Sequence, residues 1–511
     1  MYAVAPKGTA RPACVHCATL VTTWVVACCH ALYLARSLRS ERRRRNNKGW
    51  CSSVSLLESI FKLKENKTTV QNEIIAGFTT FITMAYILAV NPSILSASGM
   101  DVGAVFTATA VSAAIGTMLM AGLSNYPFAL APGMGPNAFL AYTVCGAMGY
   151  SWKIALTAVF IEGIIFVLLS VTKIREMLFD SISMSLKIGI TAGIGLFIAF
   201  IGLQNAKIIV AGPGLVSLFP FKQSLADGTF ASQGIGAALA CVGVFVTAIL
   251  IAKKVSGGLL LGILTTWIAG IACELSGFYI PDPKLGAFSL LPDFSKGLAV
   301  PSLEPTLLQM DFSAVATFDF LTIMLSFMFV DFFDTLGTLI GVGAKAKMLD
   351  EEGKLAHIKG ALLADSTATA IGALLGTSTV TTFAESSAGV AAGGRTGLTG
   401  VVVAILFLSS LFFAPIFLAI PAFATAPALI VVGYMMFSTV TSLDFDNYAE
   451  SFPAFMAAIA MPFMYSVSDG IAFGIISYVA MKLATGALLK KQADYIVCAL
   501  AVVFILKYIY M

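Results

Sequence analysis

The fold of this chain is decided by two short segments, Ala131-Pro-Gly-Met-Gly-Pro-Asn137 and Thr381-Thr-Phe-Ala-Glu-Ser-Ser387. Each segment interrupts an apolar run of membrane-spanning length with residues that do not favour a helix. Each then offers a polar side chain, Asn137 or Glu385. Irregular backbone is tolerated at membrane depth only where it is buried in protein or lines a water-filled cavity. Both segments are therefore expected to lie inside the protein, next to a cavity.

The composition restricts the class of protein. Of the 511 residues, 58% are hydrophobic and 11% are charged, whereas soluble domains carry roughly 25% charged residues. Many uncharged stretches reach the ~20 residues that cross a bilayer as a helix, and the ~10-residue alternating segments of a membrane barrel are not seen. These features predict an all-α polytopic membrane protein surrounded by membrane lipid, with no nucleic acid as a partner.

Apolar runs separated by polar connections predict about fourteen membrane spans. Two of these spans, 137–149 and 385–394, have only half the usual length. The stretch 452–509 is ambiguous between two and three spans, because Ser466 to Gly470 interrupts it. The other predicted spans lie near 73–95, 101–124, 151–172, 183–201, 234–252, 257–278, 317–341, 359–376, 397–419 and 423–440.

Residues 1–56 differ from the rest of the chain. An apolar stretch from Cys14 to Ala35 is followed by the basic run Arg42–Arg45. This pattern fits a signal anchor or a leader that the functional unit does not need, and the sequence leaves both interpretations open. Further along the chain, Lys and Arg concentrate in alternate connections, and none occurs from Asn91 to Asp101. The first span is therefore predicted to start in the cytosol.

The two halves of the chain share an internal repeat. Thr107-Ala-Thr-Ala110 leading to Gly116 recurs as Thr367-Ala-Thr-Ala370 leading to Gly372, and a Phe-Ala pair follows each at similar spacing. Because each repeat has an odd number of spans, seven, the second copy must insert upside down, which is a plan that secondary transporters use. The predicted parts are a first repeat at 57–278, an extramembrane connection at 279–314 and a second repeat at 315–511.

Each interrupted segment is predicted to be a short strand followed by a half-helix. Pro127 and Pro132 disfavour a helix before Asn137, and the β-branched run Thr377–Phe383 favours a strand before Glu385. Crossed strands would satisfy each other's backbone groups, and both half-helices would present free N–H groups and a positive dipole end near the membrane centre. Matching broken segments in the two halves of a chain indicate the binding site of a transporter.

Acidic side chains in apolar spans are the first candidates for function. An acid costs ~2.5–3.5 kcal/mol at the centre of a membrane helix on insertion scales, so it indicates a function by default. For Glu385 the alternative is a capping role. Asp331 and Asp334 are too close to be ionised together cheaply, so one of them is expected to contact substrate or carry a proton. For Glu162 and Asp365, interhelical hydrogen bonding explains their presence as well as function does.

Four motifs are together specific enough to indicate a family. They are Asn72-Glu-Ile-Ile-Ala-Gly-Phe-Thr-Thr-Phe-Ile-Thr-Met-Ala-Tyr86, Ala131-Pro-Gly-Met-Gly-Pro-Asn-Ala138, Asp331-Phe-Phe-Asp-Thr-Leu-Gly337, and Glu385-Ser-Ser-Ala-Gly389 followed by Gly393-Gly-Arg-Thr-Gly397. Over roughly residues 57–511 the sequence resembles the azaguanine-type (AzgA-like) purine permeases of the nucleobase–cation symporter, or nucleobase–ascorbate transporter, superfamily. The leader at 1–56 departs from that pattern.

The resemblance implies a fold and an activity. It implies fourteen spans in two inverted repeats, with a core domain from spans 1–4 and 8–11 and a gate domain from spans 5–7 and 12–14. It also implies a secondary active transporter of the plasma membrane that imports adenine, guanine or hypoxanthine together with protons.

The resemblance and the chemistry of a purine give one set of site residues. A purine is flat and carries adjacent N–H donors and ring-nitrogen acceptors. A carboxylate accepts from N–H groups, an asparagine amide both donates and accepts, and an aromatic ring stacks on the base. The predicted substrate-binding residues are Asn137, Asp331, Glu385, Ser386 and Phe383, and the predicted proton-coupling residues are Asp331, Asp334 and Glu385.

Other classes of protein make different demands on the sequence. An anion- or ascorbate-type carrier on the same architecture should place a cation opposite the half-helices, where this chain has acids. A channel should show a repeated filter loop, and none is evident. No HExxH, paired-cysteine or Ser/His/Asp arrangement indicates an enzyme, and no metal or cofactor is expected besides a coupling proton. The sequence leaves open the preferred purine, the stoichiometry and whether the protein is a homodimer.

Overall fold

A computed structural model describes residues 58–171, 183–212, 215–282, 287–292, 299–345, 358–486 and 492–510, together with residues 348 and 355. The predicted leader at 1–56 lies outside the described residues. The chain divides into two units between Lys64 and Glu65. In the first unit, residues 58–61 form one helical turn. The second unit contains all the elements described below.

Helices make up most of the described part of the second unit. The helices of the first half are α1 Val70–Met84, α2 Ile87–Leu95, α3 Val102–Leu123, α4 Met134–Ala138, α5 Trp152–Val171, α6 Met184–Asn205, α7 Phe221–Ala226, α8 Ile235–Ala252 and α9 Gly258–Leu275. Those of the second half are α10 Phe318–Lys345, α11 Ile358–Leu375, α12 Ser386–Ala391, α13 Gly397–Ser410, α14 Ala414–Leu418, α15 Ala422–Phe437, α16 Tyr448–Phe463, α17 Val467–Ala484 and α18 Gln492–Tyr510. The strands are β1 Leu130–Pro132, β2 Ile209–Gly212, β3 Leu215–Leu218 and β4 Val380–Thr382.

The number of spans is only partly settled by these helices. In the described part of the chain, ten helical stretches are long and apolar enough to cross a membrane. The ambiguous stretch 452–509 contains parts of three helices, α16 to α18, and Ser466 caps the second of them by accepting a hydrogen bond from Asp469 N. A mainly helical, multi-pass membrane chain is confirmed, and the count of fourteen spans stays a prediction.

The first predicted span, near 73–95, ends close to where the structure ends it. Helix α2 continues to Leu95, so Asn91, at the start of the stretch without Lys or Arg, lies inside this helix. Asn91 is fully buried, and its Nδ2 donates to Thr109 Oγ1 at 2.6 Å and to Thr377 Oγ1 at 3.1 Å. Two hydrogen bonds allow this polar side chain to stand inside an apolar helix.

The two interrupted segments meet through a pair of short strands, as the sequence predicts. Strand β1 pairs antiparallel with β4, with Leu130 opposite Thr382 and Pro132 opposite Val380. One further backbone hydrogen bond extends the ladder at each end, and all the strand residues are buried. The backbone groups that each strand turns toward the other are therefore satisfied without water. We call β1 and β4 the central strand pair.

One helix from each half supports the central strand pair. Thr117 of α3 accepts from Leu130 N at 2.9 Å and lies 3.2 Å from Leu130 O. Thr369 of α11 donates to Val380 O at 3.1 Å. Each strand is thus held by a threonine hydroxyl, β1 from α3 and β4 from α11.

Both half-helices differ in their bounds from the prediction. Helix α4 begins ahead of Asn137, because Pro136 lacks an N–H and fits the first helical turn. It continues as a π-helix over Phe139–Ala147. Helix α12 ends before residue 394, because Gly393 has a φ of +107°, and a left-handed glycine is a common end of a helix.

Glycine lets α6 and α15 touch backbone to backbone. A Cβ built on Gly433 would lie 2.4 Å from Gly195 O, and one built on Gly195 would lie 2.6 Å from Gly433 O. No side-chain rotation relieves these contacts, because both obstacles are backbone atoms. Small residues at helix crossings are a main source of helix association in membranes.

We expect Gly433→Ala to lower the free energy of unfolding by about 1–3 kcal/mol, the usual cost of overpacking. The measurement is the midpoint of thermal unfolding of the purified protein in detergent. Gly146→Ala is the matched control, because its Cβ would meet only Ala141 O at 3.5 Å, an ordinary contact. Equal midpoints for the two variants would show that the helices do not cross at Gly433.

Candidate functional site

Glu385 stands immediately before α12 and is half-buried. Its Oε1 accepts a hydrogen bond of 2.7 Å from Tyr86 Oη, and Tyr86 is fully buried between α1 and α2. The Glu385 side chain makes no capping hydrogen bond to α12, so capping does not explain an acid at this position. The neighbouring Ala384 is exposed, so the chain is accessible immediately before Glu385.

Tyr86 contacts the predicted site residue Glu385, and the sequence does not single it out. It ends the apolar motif that begins at Asn72, and the motif gives no sign of its partner. The one available signal is general: a buried tyrosine hydroxyl usually finds a hydrogen-bond partner. Here that partner is Glu385, so Tyr86 fixes the direction of the carboxylate.

Thr335 links two acids to the central strand pair. Its Oγ1 lies 3.2 Å from Asp331 Oδ1 and 2.9 Å from Asp365 Oδ2. It also lies 2.8 Å from Thr381 Oγ1 of the segment that contains β4. Asp331, Thr335 and Asp365 are fully buried. Asp331 and Thr335 are thus neighbours on α10, and Asp365 of α11 is an interhelical hydrogen-bond partner of Thr335, one of the two roles that the sequence left open.

Asp334 occupies a more accessible position than Asp331. It is half-buried, and a Cβ added to Gly133 would lie 3.4 Å from Asp334 Oδ2. The carboxylate therefore lies against the turn between β1 and α4. Glu385, the other half-buried acid, stands shortly after β4. The two acids therefore lie beside the central strand pair, one near the end of each strand.

Asn137 is fully buried in the first half-helix. Its Oδ1 accepts a hydrogen bond from Ser378 Oγ, while its Nδ2 has no hydrogen-bond partner within the described ranges. Next to Ser378, Thr379 donates to Glu162 Oε2 at 3.5 Å. A buried amide donor without an acceptor is costly, so Nδ2 is suited to a ligand acceptor.

Ser386 and Phe383 flank Glu385, and both support the central strand pair. Ser386 Oγ accepts from Ala129 N at 3.0 Å, and Phe383 N donates to Ala129 O at 3.0 Å. Phe383 is 6% exposed, so most of its ring is packed in protein. Their predicted contact with substrate stays a prediction.

We expect Thr335→Val to lower the free energy of unfolding by about 1–3 kcal/mol. The substitution keeps the shape of the side chain but removes its hydroxyl, so buried polar groups lose a hydrogen-bond partner. The measurement is thermal unfolding of the purified protein. Thr265→Val is the control, because Thr265 is exposed and its hydroxyl bonds to Gly262 O of its own helix at 3.0 Å. A Thr335→Val protein as stable as this control would show that the hydroxyl does not join the two acids.

Comparison with known proteins places the chain among membrane transporters. The sequence model of the Permease family matches residues 71–473. The chain is 41% identical over 460 residues to the adenine permease AdeP of Escherichia coli K12, covering 90% of this chain and 97% of that protein. It is 43% identical over 433 residues to the guanine/hypoxanthine permease PbuO of Bacillus subtilis 168, covering 84% and 95%.

A solved structure has a similar fold. The transmembrane domain of the cyanobacterial bicarbonate transporter BicA aligns with a TM-score of 0.58 at 16% identity, over 79% of this chain and 97% of that domain. This likeness concerns the fold alone, whereas the family match and the two relatives concern the sequence. The chain is therefore a multi-pass membrane transporter, not an enzyme, and belongs to the Permease family, which includes purine nucleobase permeases.

Proposed function

We propose that this protein imports purine nucleobases across the cell membrane by proton symport. The observation that carries the proposal is the position of two half-buried acids beside the central strand pair: Asp334 lies against Gly133, just after β1, and Glu385 stands shortly after β4. An acid in a membrane span indicates a substrate or proton pathway. The names of the two relatives, an adenine permease and a guanine/hypoxanthine permease, indicate the class of substrate.

The proposed binding mode assigns a hydrogen-bond donor or acceptor role to each side chain. Glu385 accepts from a purine N–H, since Tyr86 already donates to Oε1. The Asn137 Nδ2 group donates to a purine ring nitrogen or carbonyl oxygen. Asp331 supports the site indirectly, through its hydrogen bond with the hydroxyl of Thr335. Asp334 binds the coupling proton when the site faces outside and releases it when the site faces inside. Its protonation is favourable because it removes one of two like charges on nearby acids.

The proposed architecture is fourteen spans in two inverted repeats, with a core domain that carries the site and a gate domain that it moves against. The antiparallel pairing of β1 with β4 supports inversion, because equivalent segments of the two halves then run in opposite directions. Thr117 and Thr369, which support the two strands from α3 and α11, are consistent with the same symmetry.

An anion carrier is the second candidate, because the fold resembles that of a bicarbonate transporter. Such a carrier should bind its substrate with a cation at the ends of the half-helices. The segments 126–137 and 377–387 contain no Lys or Arg, and the second contains Glu385. Two further acids lie against them: Glu162 accepts from Thr379, and Asp334 lies against Gly133. This charge distribution favours a neutral substrate with N–H donors.

Uptake of radiolabelled adenine, guanine and hypoxanthine by cells that lack purine permeases tests the proposal. Each base, uracil and bicarbonate serve as competitors, at acidic and alkaline external pH. We expect competition by purines and faster uptake in acid. One co-transported charge supplies ~2.3 kcal/mol at 100 mV, or about fifty-fold accumulation. A rate of uptake that does not change with external pH would contradict symport. The absence of purine uptake would contradict the substrate class.

A further inference from the structure

Glu73 is a buried acid far from the proposed binding site along α1. It lies in the first turn of α1 and has no exposed surface. Its Oε1 accepts from Arg395 N at 2.9 Å, and its Oε2 accepts from Thr399 Oγ1 at 2.6 Å. The backbone N–H groups of Thr396 and Thr399 also point to Oε2, at 3.3 and 3.2 Å. Glu73 thus satisfies the N–H groups at the start of α13, where a negative charge is favourable.

The side chain of Arg395 points the other way, to the end of the half-helix α12. Its Nη1 donates to Val390 O and to Gly394 O, both at 2.6 Å. A cation near the C-terminus of a helix satisfies its last carbonyls and interacts favourably with its dipole. Arg395 therefore holds the far end of the helix whose near end follows Glu385.

Helix α1 contacts the half-helix between these two ends. A Cβ built on Gly389 would lie 1.9 Å from Thr80 Oγ1 and 2.8 Å from Ala76 O. The backbone of α12 is therefore pressed against α1. Beyond the C-terminal end of α1, Tyr86 donates to Glu385. The same segment of chain thus binds on both sides of α12: Tyr86 binds Glu385, which precedes the half-helix, and Glu73 binds the backbone at Arg395, which follows it. Glu73 and Tyr86 are about 20 Å apart at the helical rise of about 1.5 Å per residue.

A helix of six residues has little stability of its own, because short helices are marginal without tertiary contacts. The position of α12 must therefore come from its contacts. We propose that Glu73 and Arg395 are positioning residues, which set the place of the Glu385 carboxylate through α12, while Tyr86 sets its direction. This inference rests on the proposed function, since Glu385 is taken to bind the transported base.

Glu73→Gln and Arg395→Lys test the inference, each alone and combined with Tyr86→Phe. Glutamine brings an NH₂ group to face N–H donors, and lysine keeps the charge but loses the paired contacts of the guanidinium. We expect the KM for purine uptake to rise about tenfold, because a small misplacement of a binding group is costly, and the dependence of uptake on external pH to shift. Combination with Tyr86→Phe should cost less than the product of the single effects.

Glu304→Gln is the matched control, because Glu304 is an exposed glutamate of the connection before α10. Surface expression and thermal unfolding of each variant separate loss of protein from loss of positioning. If the variants show lower surface expression but an unchanged KM and an unchanged pH profile of uptake, the inference is overturned, and Glu73 and Arg395 only stabilise the fold. Because Arg395→Lys keeps the buried charge of Glu73 paired with the start of α13, it remains informative if Glu73→Gln does not fold.

A second measurement does not depend on purine transport. Ala384→Cys places a thiol beside Glu385 at an exposed position, and mass spectrometry of the purified protein gives its rate of reaction with a maleimide. We expect Arg395→Lys to change this rate by about threefold or more, and Glu304→Gln to leave it unchanged. An unchanged rate in Arg395→Lys would overturn the inference. If the unmodified protein takes up no purine, the proposed function fails while this result still decides the positioning.

Discussion

Glu385→Gln is expected to abolish purine uptake while the protein still reaches the membrane in normal amount. Glutamine is isosteric with glutamate, but it presents only one acceptor oxygen and carries no charge. Hydrogen bonds to charged groups contribute about 1.5–3 kcal/mol, so the loss of this acceptor corresponds to roughly a ten- to hundredfold loss of affinity. The loss of a coupling acid would stop the remaining transport. The measurement is initial-rate uptake of each labelled purine, normalised to surface expression.

The structure offers a control for this experiment at Glu274. This glutamate is near the end of α9 and is held by Ser289 Oγ at 2.7 Å and Leu290 N at 2.8 Å, away from the central strand pair. Glu274→Gln should therefore retain uptake. Transport by Glu385→Gln at the rate of the unmodified protein would remove Glu385 from the site and leave the fold intact.

Asp334→Asn is expected to separate purine transport from the proton gradient. The neutral amide imitates the protonated acid and releases no proton, so the carrier should still exchange purine across the membrane without accumulating it. In proteoliposomes, we expect counterflow of labelled purine to continue. Uptake driven by acidic external pH should stop when the purine concentrations inside and outside are equal. This is a loss of accumulation of about fifty-fold at a driving force equivalent to 100 mV.

Asp311→Asn is a suitable control for that loss, because Asp311 is half-buried like Asp334, lies in the connection before α10, and accepts through its Oδ1 from Ser313 N at 2.9 Å. Its driven uptake should equal that of the unmodified protein. Continued accumulation by Asp334→Asn would assign the coupling proton to Asp331 or Glu385 instead. Loss of both counterflow and driven uptake would place Asp334 among the groups that bind the purine.

The part of this fold that the sequence predicts is the part with strong local chemistry. Proline, glycine and β-branched residues restrict the backbone directly, so the two strands and the two half-helices can be located from the segments that end at Asn137 and begin at Thr377. The exact bounds depend on weaker effects. Gly393 ends α12 earlier than expected, and Pro136, in the first turn of α4, lets that helix begin earlier than expected. One residue near a helix end can decide where the helix begins or ends.

The candidate site was predicted less completely than the fold. Acids such as Glu385 and Asp334 stand out because charge is rare in apolar spans. Tyr86 and Thr335 do not stand out, because hydroxyl side chains are common in membrane helices and their importance depends on partners that are distant in sequence. Glu73 lies at a span end, where an acid is ordinary, and only the packing of α1 on α12 shows that it is buried.

The pairing of β1 with β4 also has a consequence for biosynthesis. Ala129 and Ser386, which join the two segments, are separated by 257 residues. At about 5–20 residues per second, the ribosome needs roughly 10–50 s to make the second strand after the first. During that interval the nascent first half is in the membrane without the native partners for its strand, so the translocon or a chaperone must shield it. Separately expressed halves should accordingly be degraded unless they are made together.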